Sequence, residues 1–325
     1  MQRNISTKIG LTMHGENSYN PLVSVIIPNY NHAPFLKERI DSVLNQTYRN
    51  FEVILLDDCS TDNSREIIES YRGQEKISHI EYNAANSGST FKQWEKGINF
   101  AKGEWIWIAE SDDVADINFI NELIVETDAE MVYCNSQIID ANSAPSTIYG
   151  FTHMPFKDSY PFFSHNFTSN TREFLLQWML RDNFIPNASA VLFKKSLLIE
   201  QVKDPKMFST MGKLKLVGDW YFWLNLLMSA SLISYSALSL NHFRQHASNV
   251  RLSTTKNSFT ELKYILRILR QHNLPLNLTV ETYLYRYFHR NKETRFTLSE
   301  RLELLINAWR FGFLGLYLKN VLKYR

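Results

Sequence analysis

Two cysteines, Cys59 and Cys134, are all that 325 residues contain, and neither lies in a CxxC or Cys/His pattern. That excludes a disulfide framework and argues against a structural zinc site, so reduced thiols in a cytoplasmic protein are expected. The chain also lacks any run of ~18–20 apolar residues, the length a membrane-spanning helix requires. The longest apolar stretch near the end, 311–322, is interrupted by Gly312, Gly315, Lys319 and Asn320. The first twenty residues hold no apolar segment of signal-peptide length, and the expectation is a chain that does not cross a membrane. No Gly-x-Gly-x-x-Gly follows the first apolar run, which removes a dinucleotide oxidoreductase from consideration. There are no internal repeats and no low-complexity tracts.

What is present suits a globular protein large enough for one sizeable domain with an extension. Val23 to Ile27 is a continuous, β-branched apolar run that fits a buried parallel strand ending at Pro28. Leu36, Ile40, Val43 and Leu44 then mark one face of a helix. A second strand spans Phe51 to Leu56 and runs directly into Asp57 and Asp58. A helix follows with Ile67, Ile68 and Tyr71 on its apolar face, started by Thr61 to Ser64. Further strands are expected at Ile77 to Tyr82, Trp105 to Ala109 and Met131 to Asn135, with helices at Phe91 to Ala101 and Asn118 to Glu126. This alternation predicts an α/β fold with a mostly parallel, mixed sheet flanked by helices. The aromatic segment 148–170 reads as an irregular loop. Helical patterns return at Thr171 to Leu180, at Asp219 to Met228, and from Phe259 onward as an α-helical C-terminal extension.

In such a sheet, ligands gather beyond the carboxyl ends of the strands, and the polar residues fall there. Glu110, Asp112 and Asp113 place three carboxylates within four residues after the fourth apolar run. Crowding of this kind raises each acid's pKa unless a cation compensates. A divalent metal would do so, and an acidic turn capping the next helix is the alternative. A second acidic pair, Asp57-Asp58, at the end of another strand favours a metal–diphosphate site, where the metal would ease departure of a nucleoside phosphate. Asp219, among Trp220, Tyr221, Phe222 and Trp223, is the best candidate for a general base, although it would also serve as a helix cap.

These segments, in this order, resemble glycosyltransferase family 2, the inverting enzymes with an A-type, Rossmann-like nucleotide-diphospho-sugar fold. The matching stretches are VSVIIPNYNH, FLKERIDSVLNQTYRNFEVILLDDCSTDNS, NSGS, KGINFAKGEWIWIAESDD and, more loosely, VGDWYFWL and HFRQHASNV. The resemblance implies that Pro28 and Tyr30 line the nucleotide and that Asp58, with Asp57, binds the base. Asn86 and Gly88 would shape the pocket wall. Asp112 and Asp113 would form the metal–diphosphate end, with Asp113 as direct ligand and His246 as a further contact. Asp219 would be the catalytic base. The cofactor implied is a divalent cation, Mn2+ or Mg2+. Glu110 stands where many relatives have Asp, and Gln93-Trp94-Glu95 replaces an ARN-like stretch. That substitution leaves Lys92 and Lys96 as candidate cationic partners of the diphosphate.

The implied reaction moves a sugar from a nucleotide-diphosphate donor to a glycan or lipid-linked acceptor hydroxyl, by default in cell-surface polysaccharide assembly. A catalytically inactive nucleotide-sugar-binding relative is the rival reading. The expected organisation is an extension at 1–20, a catalytic domain at 21–250 and a basic helical region at 251–325. The catalytic domain divides into a nucleotide half at 21–136 and an acceptor half at 137–250. Segment 256–325 holds 13 Lys/Arg against 5 Asp/Glu, a net +8, which leaves −6 for the rest of a chain of total charge +2. Basic residues among helically spaced Leu302, Leu305, Ile306 and Trp309 suggest contact with an anionic membrane surface, which would make the protein peripheral at the inner face of the cell membrane. Packing against the catalytic domain or a partner is the alternative. The near-neutral total and the lack of a recognised motif argue against nucleic acid.

Overall fold

A computed structural model describes residues 19–124, 128–146, 160–185, 187–198, 205–246, 258–282 and 298–323. All of the site residues singled out above lie within these ranges. Most of the expected extension at 1–20, much of the aromatic segment and the boundary at 250/251 lie outside them.

Among the described residues, nine strands form one mixed sheet in the order β3-β2-β1-β4-β8-β6-β9-β5, with β7 also paired to β9. They are β1 Val23–Asn29, β2 Phe51–Asp57, β3 Ile77–Tyr82, β4 Trp105–Ile108, β5 Val114–Ala115, β6 Met131–Ile139, β7 Phe167–Asn170, β8 Val191–Lys194 and β9 Leu232–Arg244. β1 pairs in parallel with β2 and β4, β2 with β3, and β6 with β9. The antiparallel β8 is inserted between β4 and β6. Six strands therefore point the same way, and their carboxyl ends share one edge of the sheet.

Side chains alternate along the strands and fill a core on each face. Val23, Val25 and Ile27 meet Leu36, Ile40 and Val43 of α1 (Ala33–Leu44) on one side. Ile26 joins Phe91, Trp94 and Ile98 of α3 (Thr90–Phe100) on the other. α2 (Ser64–Ser70) and α4 (Phe119–Leu123) contribute Ile68, Phe119, Ile120 and Leu123 to the α1 side. The α3 side also receives α5 (Thr171–Phe174), α6 (Pro205–Met211) and α7 (Gly218–Ser229). α7 is apolar nearly all round, and Trp220, Phe222, Trp223, Leu224, Leu226 and Leu227 are all buried, as an all-apolar helix requires.

Beyond the sheet come α8 (Ser258–Gln271), α9 (Leu298–Arg310) and α10 (Leu314–Lys323). Leu262, Ile265, Leu266 and Leu269 of α8 enter the same core as Trp220. On α9 the outcome is the opposite: Leu302, Leu305, Ile306 and Trp309 are exposed, Trp309 by 73%. No helix among the described residues is long and apolar enough to cross a membrane.

Pro28 does not end the first strand, which continues through it to Asn29. Ile26 O accepts from Ala109 N on the β4 side, whereas Asn29 O accepts from Asp58 N on the β2 side. Pro28 shares the β4-facing edge with Ile26, whose pairing with Ile108 is the last of that ladder. The N–H that proline lacks thus falls where no partner strand remains.

Gly97 lets α3 sit directly on the sheet. A Cβ there would lie 2.3 Å from Ile26 Cγ2 and 3.1 Å from Leu56 Cδ1. Gly97→Ala should cost about 1–3 kcal/mol through overpacking, read as a lower urea midpoint at unchanged m-value. A gain in stability, which helix propensity alone would give, would show that α3 is free to shift outward.

Candidate active site

At the shared carboxyl edge, the chain leaves β3 on one side of β1 and returns as β4 on the other. The crevice between the ends of β1 and β4 is therefore the point where strand order reverses, the favoured ligand position in such sheets. Loops after β1, β2, β3, β4 and β9 meet here.

The loops after β1 and β2 are laced together. Asp57, 3% exposed, accepts Asn29 Nδ2 (2.8 Å), Ser60 N (2.9 Å) and Ser60 Oγ (2.5 Å). Asn31 adopts a left-handed backbone, φ 55°, and its Oδ1 accepts Thr61 N at 2.7 Å. Tyr30 stands 44% exposed on this surface. Asp58 organises the next loop: its Oδ1 accepts Asn83 Nδ2, Ser87 N and Gln93 Nε2 (2.5, 2.8 and 2.9 Å), and its Oδ2 accepts Ser87 Oγ (2.7 Å). Asn86 Oδ1 in turn accepts from Gly88 N, and Gly88 takes φ 73°, a conformation that favours glycine. Lys92 Nζ donates to Ser87 O at 2.9 Å. Lys96 Nζ is held by Asn83 Oδ1 and Glu81 Oε1.

The acidic motif divides into three environments. Glu110 accepts Trp94 Nε1 at 2.7 Å. Burial, reinforced by the charges of Asp112 and Asp113, pushes its carboxyl up to about 8. Asp113, 1% exposed, accepts Asn187 Nδ2 (2.8 Å) and Arg244 N (2.9 Å), with Arg39 Nη2 at 3.8 Å. Burial and the neighbouring Asp112 charge raise its pKa. Asp112 is the carboxylate that turns outward. Its Oδ2 lies 3.0 Å from His246 Nε2. Burial opposes its charge, but the His246 hydrogen bond and the two nearby imidazoles outweigh burial and lower its pKa.

His32 completes the group. Its Nδ1 is 2.8 Å from Ser111 Oγ, its ring centroid is 5.6 Å from that of His246, and burial lowers its pKa. His32, Asp112 and His246 each offer a ligand atom, all within 4.8 Å of one another. Two guanidiniums support this loop from beneath. Arg39 Nε donates to Glu110 O (2.8 Å) and Arg244 Nε to Asp112 O (2.6 Å), both side chains being fully buried. Arg244 also reaches Asp140 O, Ala141 O, Ser143 Oγ and Glu38 Oε2. Phe35 packs at a tilt against the His246 ring, with centroids 4.7 Å apart, and lies under the Arg244 guanidinium.

Asp219 lies in the first turn of α7, where its Oδ2 accepts Asn183 Nδ2 at 3.2 Å. α3 bridges this helix to the acidic motif: Trp94 bonds Glu110, while Gly218 packs so tightly on Phe91 that a Cβ would lie 2.3 Å from its ring.

Of the residues expected from sequence, the structure unites Asp112 with His246, and separately Asp58 with Asn86, Gly88 and Lys92. Asp113 faces inward, towards Asn187, Arg39 and Arg244. Sequence reasoning missed His32, Arg39, Asn187, Ser189 and Arg244. His32 sits within the VSVIIPNYNH stretch, yet only the parallel pairing of β1 with β4 brings it beside Asp112. Ser189 Oγ, which accepts Glu110 N at 3.0 Å, lies just before β8, a strand that had no sequence signal.

TarS of Staphylococcus aureus in complex with UDP shares this fold with a TM-score of 0.61 at 18% identity, over 89% of this chain and 79% of that one. The glycosyltransferase GlyG of Streptococcus pneumoniae is 41% identical over 120 residues, 35% of this chain and 38% of GlyG. TuaG of Bacillus subtilis, named for teichuronic acid biosynthesis, is 36% identical over 96 residues, 30% of this chain and 38% of TuaG. This chain thus aligns with about two fifths of these relatives' length. Residues 24–197 match the model of glycosyl transferase family 2, more than half of the chain. The chain belongs to glycosyl transferase family 2.

Proposed function

We propose that this glycosyltransferase moves a sugar, with inversion, from a nucleotide-diphosphate donor to an acceptor hydroxyl in cell-surface polysaccharide assembly, with a divalent cation as cofactor. The observation that carries the reading is the convergence of His32, Asp112 and His246 at the crevice. Two imidazoles and one carboxylate form a mixed nitrogen–oxygen donor set, which suits Mn2+ better than Mg2+, an ion that favours oxygen. A cation held there would supply Lewis acidity to the departing diphosphate. Asp113 serves behind it, buried among Asn187 and the two arginines.

The protein's own groups would divide the remaining work. Asp58, through Ser87 and Asn83, fixes the wall formed by Asn86 and Gly88, while Pro28, Asp57 and the exposed Tyr30 ring line the nucleotide side. Lys92, on the first turn of α3, donates to Ser87 O in this wall and would face the diphosphate. Asp219 would accept the acceptor hydroxyl's proton, held in place by Asn183. Inversion then follows from a single displacement, with the nucleotide leaving from the opposite face.

The acceptor is proposed to be a glycan or a lipid-linked glycan reached at an anionic membrane surface. The exposed stripe of Leu302, Leu305, Ile306 and Trp309, flanked by exposed Arg310 and Lys319, has the apolar and cationic elements of an interfacial helix. The region 251–325 would then be the docking element of a cytoplasmic enzyme.

Three measurements test these readings. Calorimetric titration with UDP, GDP, dTDP and CMP, each with Mn2+ and with chelator, should show metal-dependent binding of one diphosphate; UDP heads the panel because the TarS neighbour was solved with it. Asp112→Asn and His246→Ala should remove the metal dependence. No binding under any condition would instead favour the inactive relative. Asp219→Asn should keep nucleotide affinity and lower turnover of the matching nucleotide-sugar at least about 10²-fold; joint loss of both would make Asp219 structural. The full chain should float with phosphatidylglycerol vesicles and not with phosphatidylcholine, and Trp309→Ser should weaken the association. Equal recovery with both vesicles would remove the membrane reading.

A further inference from the structure

Glu261 lies on α8, beyond residues 24–197 that match the family model. It is a carboxylate only 7% exposed. Its partners are three consecutive backbone amides: Lys215 N to Oε1 at 2.8 Å, and Leu216 N and Val217 N to Oε2 at 2.9 and 3.1 Å. Charge-assisted bonds of this kind are about twice as strong as neutral ones. Three converging N–H groups also form an anion-binding concavity.

The position of this bond set matters. Val217 is the N-cap of α7 and supplies no side-chain cap of its own. Its carbonyl accepts Tyr221 N at 2.8 Å, closing the turn that contains Asp219. Fixing Val217 N therefore fixes the peptide on which that turn is built. On the other flank, Gly218 is pressed against Phe91. The start of α7 is thus set between α3, which also holds Glu110, and α8 of the C-terminal region.

We propose that Glu261 is a positioning residue for the glycosyl-transfer base: by clamping Lys215 to Val217 it holds Asp219 in register with the nucleotide site. The proposal rests on Asp219 acting as that base. It makes the C-terminal region part of the catalytic apparatus, whether or not it also docks the enzyme. Glu261 needs no contact with substrate, so its removal should spare nucleotide binding and impair turnover, since misplacing a reacting group by about 1 Å costs up to about 10²-fold.

The test uses the full chain with Mn2+ and the nucleotide-sugar that wild type turns over, reading diphosphate release and, by calorimetry, nucleotide affinity. Glu261→Ala should lower kcat about 30- to 100-fold while nucleotide Kd stays within about twofold. Glu261→Gln, which can keep one oxygen towards Leu216 N and Val217 N, should fall between, about three- to tenfold below wild type. A Glu261→Ala kcat within about twofold of wild type, or a nucleotide affinity that falls by the same factor as kcat, overturns the proposal. If Glu261→Ala does not fold, Glu261→Gln decides: lowered kcat at unchanged Kd supports the clamp, and wild-type kcat overturns it. Asp219→Asn is measured alongside. An active Asp219→Asn removes the base assignment and the clamp with it, whereas an inactive Asp219→Asn beside a fully active Glu261→Ala removes only the clamp.

Discussion

Three carboxylates at the end of one apolar strand, Glu110, Asp112 and Asp113, set the constraint around which this end of the molecule is built. Like charges so close, and so poorly hydrated, resist joint ionisation. Each acid is given a different answer. Glu110 is drawn towards Trp94, and burial raises its pKa. Asp113 is enclosed by Asn187, the Arg244 amide and the Arg39 guanidinium. Asp112 alone is turned to the imidazoles, which favour its anion. Asp112 is thus the carboxylate presented to the imidazoles, on a loop supported from beneath by Arg39 and Arg244 through the carbonyls of Glu110 and Asp112.

Two features of the sequence that depart from the family pattern turn out to belong together. Glu110 is one methylene longer than the aspartate common at its position, and Trp94 falls within the altered stretch of the preceding helix. Their side chains meet at 2.7 Å. The longer acid reaches the indole N–H, so each residue supplies a reason for the other. Gln93, in the same altered stretch, finds its own use as a donor to Asp58. The change in α3 therefore connects both acidic motifs instead of leaving a gap between them.

The parts of the fold that could be read from sequence are those whose burial writes itself into a simple pattern. β1, β2, β4 and the first half of β6 are buried on both faces, so they appear as short, largely apolar runs. β9 escaped notice because LISYSALSLNHFR mixes serines among its apolar residues, and its pairing with β6 is irregular around Asn135. β8 has four residues and β5 two, too few for any periodicity. The site was legible where residues follow the legible strands, as with Asp58, Asn86 and Asp112. It was not where a partner arrives from far along the chain. His32 and His246 are separated by more than 200 positions, and only the common direction of β1, β4 and β9 brings them to one edge.

Arg244 has a consequence for how the molecule is made. Its guanidinium satisfies carbonyls of Asp112, Asp140 and Ala141 and meets Glu38, groups translated long before it. While the nascent chain emerges at about 5–20 residues per second, the acidic loop must wait on the order of ten seconds for this counter-charge, and His246 arrives only two residues later. The first half can assemble its apolar layers on the ribosome during that interval. The crevice stays electrostatically unfinished until β9 has been delivered, so the set of His32, Asp112 and His246 is completed well after the strands that carry the motif.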